Sequence, residues 1–211
     1  MSSDERVCAR AAGGDWTAMI TIRHERVSDV AAREALLDQA FGDSRTRKTS
    51  ERLRQGRLPA DGLAFVAADG KRLVGTARLW NVACGAGQPA LLLGPVAVEA
   101  CCRGRGIGAA LVRQAIETAR RRGHRAVILV GDPAYYSRFG FSAEKAVALK
   151  LPGPFERHRL LTLELVPGAL DAAHGLVSAT GRPAPLPEFA ALAAADPTGA
   201  FRRKRRAPRA A

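Results

Sequence analysis

The residues able to do chemistry gather in two stretches. The first, 101-CCRGRGIGAALV-112, sets three glycines and two arginines between a pair of cysteines and an apolar run. Glycines that end a strand and open a helix leave backbone N–H groups exposed, and with the positive end of the helix dipole these favour an anion such as phosphate. The second, 131-GDPAYYSRFGF-141, carries the chain's two tyrosines, Tyr135 and Tyr136. A phenol with an ordinary pKa near 10 can give a proton to a developing anion when held close to it. Cys101 and Cys102 could in principle carry an acyl group, but no histidine adjoins them to activate a thiol. Glu25 and Glu99, near expected strand ends, are the carboxylates considered as a base, though a water relay would need neither.

Spacing narrows the choice of phosphate. A nucleoside-triphosphate loop needs G-x-x-x-x-G-K-[ST], and no Lys followed by Ser or Thr opens this helix. The dinucleotide fingerprint G-x-G-x-x-A fits Gly104, Gly106 and Ala109, with Asp132 at the distance of a ribose ligand. That alternative, a dinucleotide-dependent oxidoreductase, calls for a series of βαβ units, whereas here a hairpin precedes the loop and two strands follow. A third reading keeps the glycines only as a tight strand-to-helix turn.

The elements that must position these residues follow from pattern and punctuation. A first strand is expected at 17-TAMITIR-23, then a helix over 29–41 capped by Ser28 and stopped by Gly42, then a second helix over 46–56. Asp69-Gly70 between two apolar runs predicts a hairpin within 63–80. The run 90-ALLLGPVAV-98 reads as a central strand buried on both faces, yet Pro95 cannot donate to a ladder, so the strand should bulge or splay there. A helix starts at Ile107, with Arg120 to Arg122 at its C-terminal end and Gly123 as its cap. A buried strand at 126–131, a short helix capped by Asp132 with Pro133 in its first turn, and strands near 145–151 and 159–166 complete the set. Residues 1–16 read as a flexible arm, 17–167 as the folded domain, and 168–211 as an Ala/Pro-rich appendage with a basic tail.

Composition bounds the class. The chain has 211 residues, 47% of them hydrophobic, enough for one sizeable core. No apolar run approaches a membrane span, and the first 20 residues are mixed in charge, so neither a membrane segment nor a signal peptide is expected. The four cysteines show no C-x-x-C pair and the four histidines are scattered, which predicts reduced thiols in a cytoplasmic protein and no metal site. The formal charge is +13, but six of the positive charges lie within 202-RRKRRAPRAA-211, so a specific nucleic-acid partner is not expected.

Taken together, the two stretches resemble the GNAT superfamily of acyl-CoA-dependent N-acetyltransferases. Arg103-Gly104-Arg105-Gly106-Ile107-Gly108 matches its [R/Q]-x-x-G-x-[G/A] element directly after a Val-Ala-Val strand, and 135-YYSRFGF-141 its Tyr-x-x-x-Gly-Phe element. The stretches 93-LGPVAV-98 and 131–141 are especially similar to a bacterial subgroup of predicted N-acetyltransferases. The resemblance covers about 17 to 166 and implies an α/β (α+β) fold. Its mixed, mostly antiparallel sheet would have six to seven strands, splayed at the cofactor site and flanked by about four helices. It implies acetyl-CoA as co-substrate, its pyrophosphate on the backbone of Arg103, Gly104, Arg105, Gly106, Ile107 and Gly108 and its pantetheine arm along Val96 and Val98. It also implies Tyr136 as general acid, and direct attack in a ternary complex by a primary amine of a small molecule or peptide. A non-catalytic acyl-CoA-binding module is the other alternative, and a homodimer is compatible with either.

Overall fold

The computed structural model describes residues 20–85 and 87–185; the expected N-terminal arm and the basic tail lie outside them. Eight strands form one sheet: β1 (Ile20–His24), β2 (Ala64–Asp69), β3 (Arg72–Cys84), β4 (Gln88–Val98), β5 (Ala126–Val130), β6 (Leu149–Lys150), β7 (Leu160–Glu164) and β8 (Gly175–Ala179). The main order is β1-β2-β3-β4-β5-β7, antiparallel throughout except between β4 and β5. That mixed, mostly antiparallel sheet is the expected fold class, and it excludes the doubly wound parallel sheet a dinucleotide fold requires.

β4 is buried on both faces, as its unbroken apolar run predicts. Leu91 and Leu93 pack with Leu111 and Ala115 on one side, and Ala90 and Leu92 pack with Ile128 and Leu160 on the other. The first layer is covered by α2 (Ile107–Arg121), whose buried face runs through Leu111, Val112, Ala115, Ile116 and Ala119. Burying each of Leu111, Val112 and Ile116 contributes about 1.5–3 kcal/mol. Gly123 ends the helix in the left-handed region, at φ 77°. On the opposite layer, α1 (Val30–Phe41) sets Leu36 and Leu37 against Ala97 of β4.

Four expectations are corrected. The segment 46–56 forms short 3-10 turns (Asp43–Arg47 and Thr49–Leu53) instead of a second long helix. Thr49 Oγ1 donates to Pro154 O and Arg52 Nη1 to Pro152 O, so tertiary hydrogen bonds override local helical preference. Ser28 does not cap α1: the carboxylate of Asp29 takes the Arg26 N–H at 2.7 Å and is gripped by the Arg23 guanidinium at 2.6 and 2.8 Å. The strand expected over 145–151 shrinks to Leu149–Lys150, because 144–146 form a turn.

The last correction concerns the end of the domain. β8 pairs with β3 through Val82↔Ala179 and its neighbours and with β6 on its other side, and Leu170 and Val177 are buried in the core. The sheet therefore runs past residue 167, where the sequence reading placed a boundary, and has eight strands where six to seven were expected.

Candidate active site

Parallel pairing between β4 and β5 covers only Leu91↔Val127 and Leu92↔Ile128. Beyond it the strands part: β4 continues beside β3, and β5 continues beside β7. Pro95 is the local cause. Its ring carries no N–H, and one extra residue of β4 is accommodated between the pairs Leu79↔Leu93 and Ala77↔Val96, a bulge at Gly94-Pro95 whose peptide bond is cis. The Gly94 carbonyl is taken by Trp80 Nε1 at 2.6 Å. The Glu99 N–H donates to Val74 O on β3. Alternation along the strand then turns the backbone groups of Val96 and Val98 away from β3, toward the splay. Among the described residues no strand pairs with this edge, although Arg103 Nε reaches Val98 O, and an extended ligand with amide groups can pair along it.

At the far end of that edge a 3-10 turn (Ala100–Cys102) leads into the glycine-rich loop. Gly104 (φ 77°) and Gly106 (φ 78°) both lie in the left-handed region, where a side chain would cost about 1–2 kcal/mol. Gly106 occupies the N-cap of α2, so no side chain caps this helix, and its first turn carries no acid. The first-turn N–H groups of any helix have no intrahelical partner, and here they are presented with the positive end of the dipole. Ile107 is buried and anchors the helix start. Gly108 is small because a methyl there would stand 3.2 Å from Tyr135 Oη and 3.5 Å from Val98 Cγ2. The exposed Arg103 side chain folds back on the strand, its Nε donating to Val98 O at 3.2 Å. Arg105 is half-buried in the same loop.

The splay opens into a cleft of about 240 Å³. Residues 93–96 of β4 form one wall, residues 130–132 at the end of β5 the other, and Tyr136 closes one side. Tyr136 sits in α3 (Pro133–Tyr136), a single turn held by the Asp132 carboxylate on Ala134 N at 3.0 Å and by Pro133 in its first position. Asp132 is thus a helix cap, the role sequence reasoning gave it beside the ribose-ligand alternative. The two rings meet edge to face with centres 5.0 Å apart, but adjacent positions on the turn aim their hydroxyls differently. Tyr136 faces the cleft, while the Tyr135 hydroxyl reaches Gly108. The Tyr136 ring lies over the backbone of Gly131, so close that a methyl on Gly131 would fall 2.3 Å from Cε2. Phe139 and Phe141 enclose it at 6.2 and 5.9 Å between ring centres. Burial, with a smaller contribution from Tyr135, pushes the Tyr136 phenol up to about 12. It therefore keeps its proton at neutral pH and cannot serve as a base there, and any proton it gives must go to an anion held close to Oη.

The other candidates are drawn elsewhere. The Glu25 carboxylate, 6% exposed, is held by the guanidiniums of Arg33 and Arg78, the latter at 2.9 Å. Glu99 pairs with Arg72 at 2.5 Å, and neither glutamate lines the cleft. Cys101 and Cys102 stand with their sulfurs 3.8 Å apart, and Arg72 Nη2 lies 3.2 Å from Cys101 Sγ. Glu99, Cys101 and Cys102 bring three potential ligand atoms within 4.8 Å, but the Arg72 guanidinium already supplies positive charge there. Burial, followed by the neighbouring Cys101, pushes the Cys102 thiol up to about 11, which suppresses thiolate at neutral pH.

Several site residues escaped the sequence. The cleft is also lined by Phe41 at the end of α1, by Lys48, Glu51 and Arg54 from the turns that follow it, and by Arg159. Gly131 stood inside a quoted motif, but its reason, a ring five residues onward folded back over it, is visible only in three dimensions.

A family profile for the "Acetyltransferase (GNAT) domain" matches residues 21–143. The chain is 31% identical over 162 residues to the uncharacterized N-acetyltransferase YhbS of Escherichia coli K12, covering 74% of this chain and 93% of that protein. The crystal structure of E. coli YhbS in complex with CoA superposes with a TM-score of 0.66 at 30% identity, over 76% of this chain and 89% of that one. A GNAT-family acetyltransferase from Brucella melitensis in complex with acetyl-CoA gives 0.55 at 28% identity, over 70% and 89%. Among the described residues no helix is long and apolar enough to cross a membrane.

Proposed function

The chain belongs to the GNAT family of acetyltransferases, and from that premise we propose that it moves an acetyl group from acetyl-CoA to a primary amine by direct attack in a ternary complex. The observation that carries this reading is the continuity of three features along one path: the uncapped start of α2, the free edge of Val96 and Val98, and the cleft closed by Tyr136. The residues present fit acetyl-CoA. The N–H groups from Arg103 to Gly108 would hold the pyrophosphate, and the outward backbone of Val96 and Val98 would pair with the pantetheine amides. When bound, acetyl-CoA supplies a thioester whose carbonyl an amine can attack.

The chain's own contribution is orientation and proton supply. The Val98 N–H, turned to the splay, is placed to donate to an oxygen on which charge develops. Tyr136 keeps its proton on Oη and delivers it to the leaving sulfur. With Glu25 and Glu99 committed to ion pairs, the amine proton leaves through water in the cleft. The cysteines take no covalent part, and reduced thiols at Cys84, Cys101 and Cys102 suit a reducing, cytoplasmic setting. The test is Tyr136→Phe. Turnover should fall by about 10²–10⁴ with acetyl-CoA affinity unchanged, and equal turnover would remove Tyr136 from the mechanism.

A further inference from the structure

The cleft that Tyr136 closes carries more positive charge than transfer to an amine requires. Four cations line it, Arg45, Lys48, Arg54 and Arg159, against two carboxylates, Glu51 and Asp132. Arg45 is committed to Glu34 and Asp38 at 2.5 and 2.7 Å. Arg54 is different. Its side chain is only 8% exposed, its Nη2 is paired with Glu51 at 2.7 Å, and its buried Nε has no hydrogen-bond partner among the described residues. A methyl on Gly94, at the bulge of β4, would stand 3.6 Å from Arg54 Nη1, so this guanidinium reaches the floor of the splay.

A buried guanidinium N–H left without an acceptor is costly, and an anion oxygen would relieve it. Lys48, exposed at the rim, lies near enough to Arg54 and Arg159 for their charges to reinforce burial in drawing its ammonium pKa down. Arg159 holds only a loose contact with Glu156 at 3.7 Å and donates to Gly131 O at 3.3 Å. None of these cations belongs to the loop at 103–108, so they are additional to the phosphate site expected there. A polycationic acceptor would meet like charge across the cleft.

We infer that the acceptor is an amine that also bears an anionic group, a carboxylate or a phosphate, which docks on Arg54 and Lys48 while the amine lies toward Tyr136. This rests on the acetyltransferase reading above and adds the substrate class. Arg54 and Lys48 are specificity residues, with no part in proton transfer.

The test compares acceptors on one short scaffold: 3-amino-1-propanol, β-alanine and 3-aminopropyl phosphate, with spermidine as the cationic member. CoA release is expressed per neutral amine. The anionic members should exceed the alcohol at least about tenfold in kcat/KM, and Lys48→Gln and Arg54→Gln should each erase most of that preference. Whichever of β-alanine and the phosphate is favoured identifies the anion. Preference for the alcohol or spermidine, or a preference indifferent to both substitutions, overturns the inference. Should Arg54→Gln fail to fold, the exposed Lys48→Gln decides. Should no member be acetylated, inorganic phosphate added to the CoA-saturated protein decides. It should raise the melting temperature of the wild type more than that of Lys48→Gln, and equal or absent shifts overturn the inference. Failure of the underlying reading looks different, since acetyl-CoA itself would then not bind.

Discussion

Substituting Gly131 by alanine isolates the placement of Tyr136 from its chemistry. The added methyl would stand 2.3 Å from Tyr136 Cε2, 2.7 Å from Cδ2 and 2.9 Å from Leu129 Cδ1. Carbon atoms in contact prefer about 3.5–4.0 Å, so the ring must retreat by about 1.2 Å or more. Phe139, Phe141 and Tyr135 block retreat on the protein side, leaving the cleft as the open direction. A displacement of about 1 Å at a reacting group can cost on the order of a hundredfold in rate. Gly131→Ala should therefore lose about that much in kcat on the best acceptor, while calorimetry shows acetyl-CoA binding within a few-fold of wild type. In a Tyr136→Phe background the same change should cost far less, because the group it misplaces is already gone. A second readout needs no acceptor. With only two tyrosines in the chain, ultraviolet titration should show one ionising near pH 12 in the wild type and earlier in Gly131→Ala, whose ring is pushed toward solvent. Full kcat in Gly131→Ala, or equal losses with and without the Tyr136 hydroxyl, would refute the placement.

Other outcomes follow from the same geometry. Gly106→Ala forces a side chain into a φ of 78° and should cost about 1–2 kcal/mol of stability and weaken acetyl-CoA binding, measured by denaturant unfolding and calorimetry. Asp29→Asn should lower stability by about 2 kcal/mol at pH 7, because the Asp29 carboxyl is held down to about 2, first by its hydrogen bond from Arg23. A depressed carboxyl stabilises above its unfolded pKa, so the wild-type advantage should shrink as pH falls from about 4 to about 2. Truncation after residue 167 removes the buried Leu170 and Val177 and bares the end of β3, and circular dichroism should show loss of the cooperative fold.

What was legible in the sequence was legible for local reasons. Pro95 inside an apolar run announced the break in β4, Asp69-Gly70 the hairpin, and Asp132-Pro133 with Gly140 the two ends of the turn that carries Tyr136. The glycines at 104 and 106 showed where the backbone takes left-handed values. What was missed depends on contacts between distant segments. β8 comes from an Ala/Gly/Pro-rich stretch whose pairing with β3 spans almost a hundred residues. The segment 46–56 looked helical until the 152–154 loop claimed its hydrogen bonds. Lys48, Arg54 and Arg159 read as ordinary surface charge, because one cleft gathers them from the turns after α1 and from the turn that precedes β7. Glu25 looked available at a strand end, but Arg33 and Arg78 arrive from α1 and β3 to neutralise it.

The central claim is that the free edge of β4 and the uncapped start of α2 form one cofactor site. It is tested most directly by titrating acetyl-CoA into the wild-type protein and into Gly106→Val in a calorimeter. One binding site per chain is expected in the wild type and at least about tenfold weaker binding in the variant, with both proteins folded. No heat of binding at near-millimolar acetyl-CoA, or equal affinity in the two proteins, would contradict it.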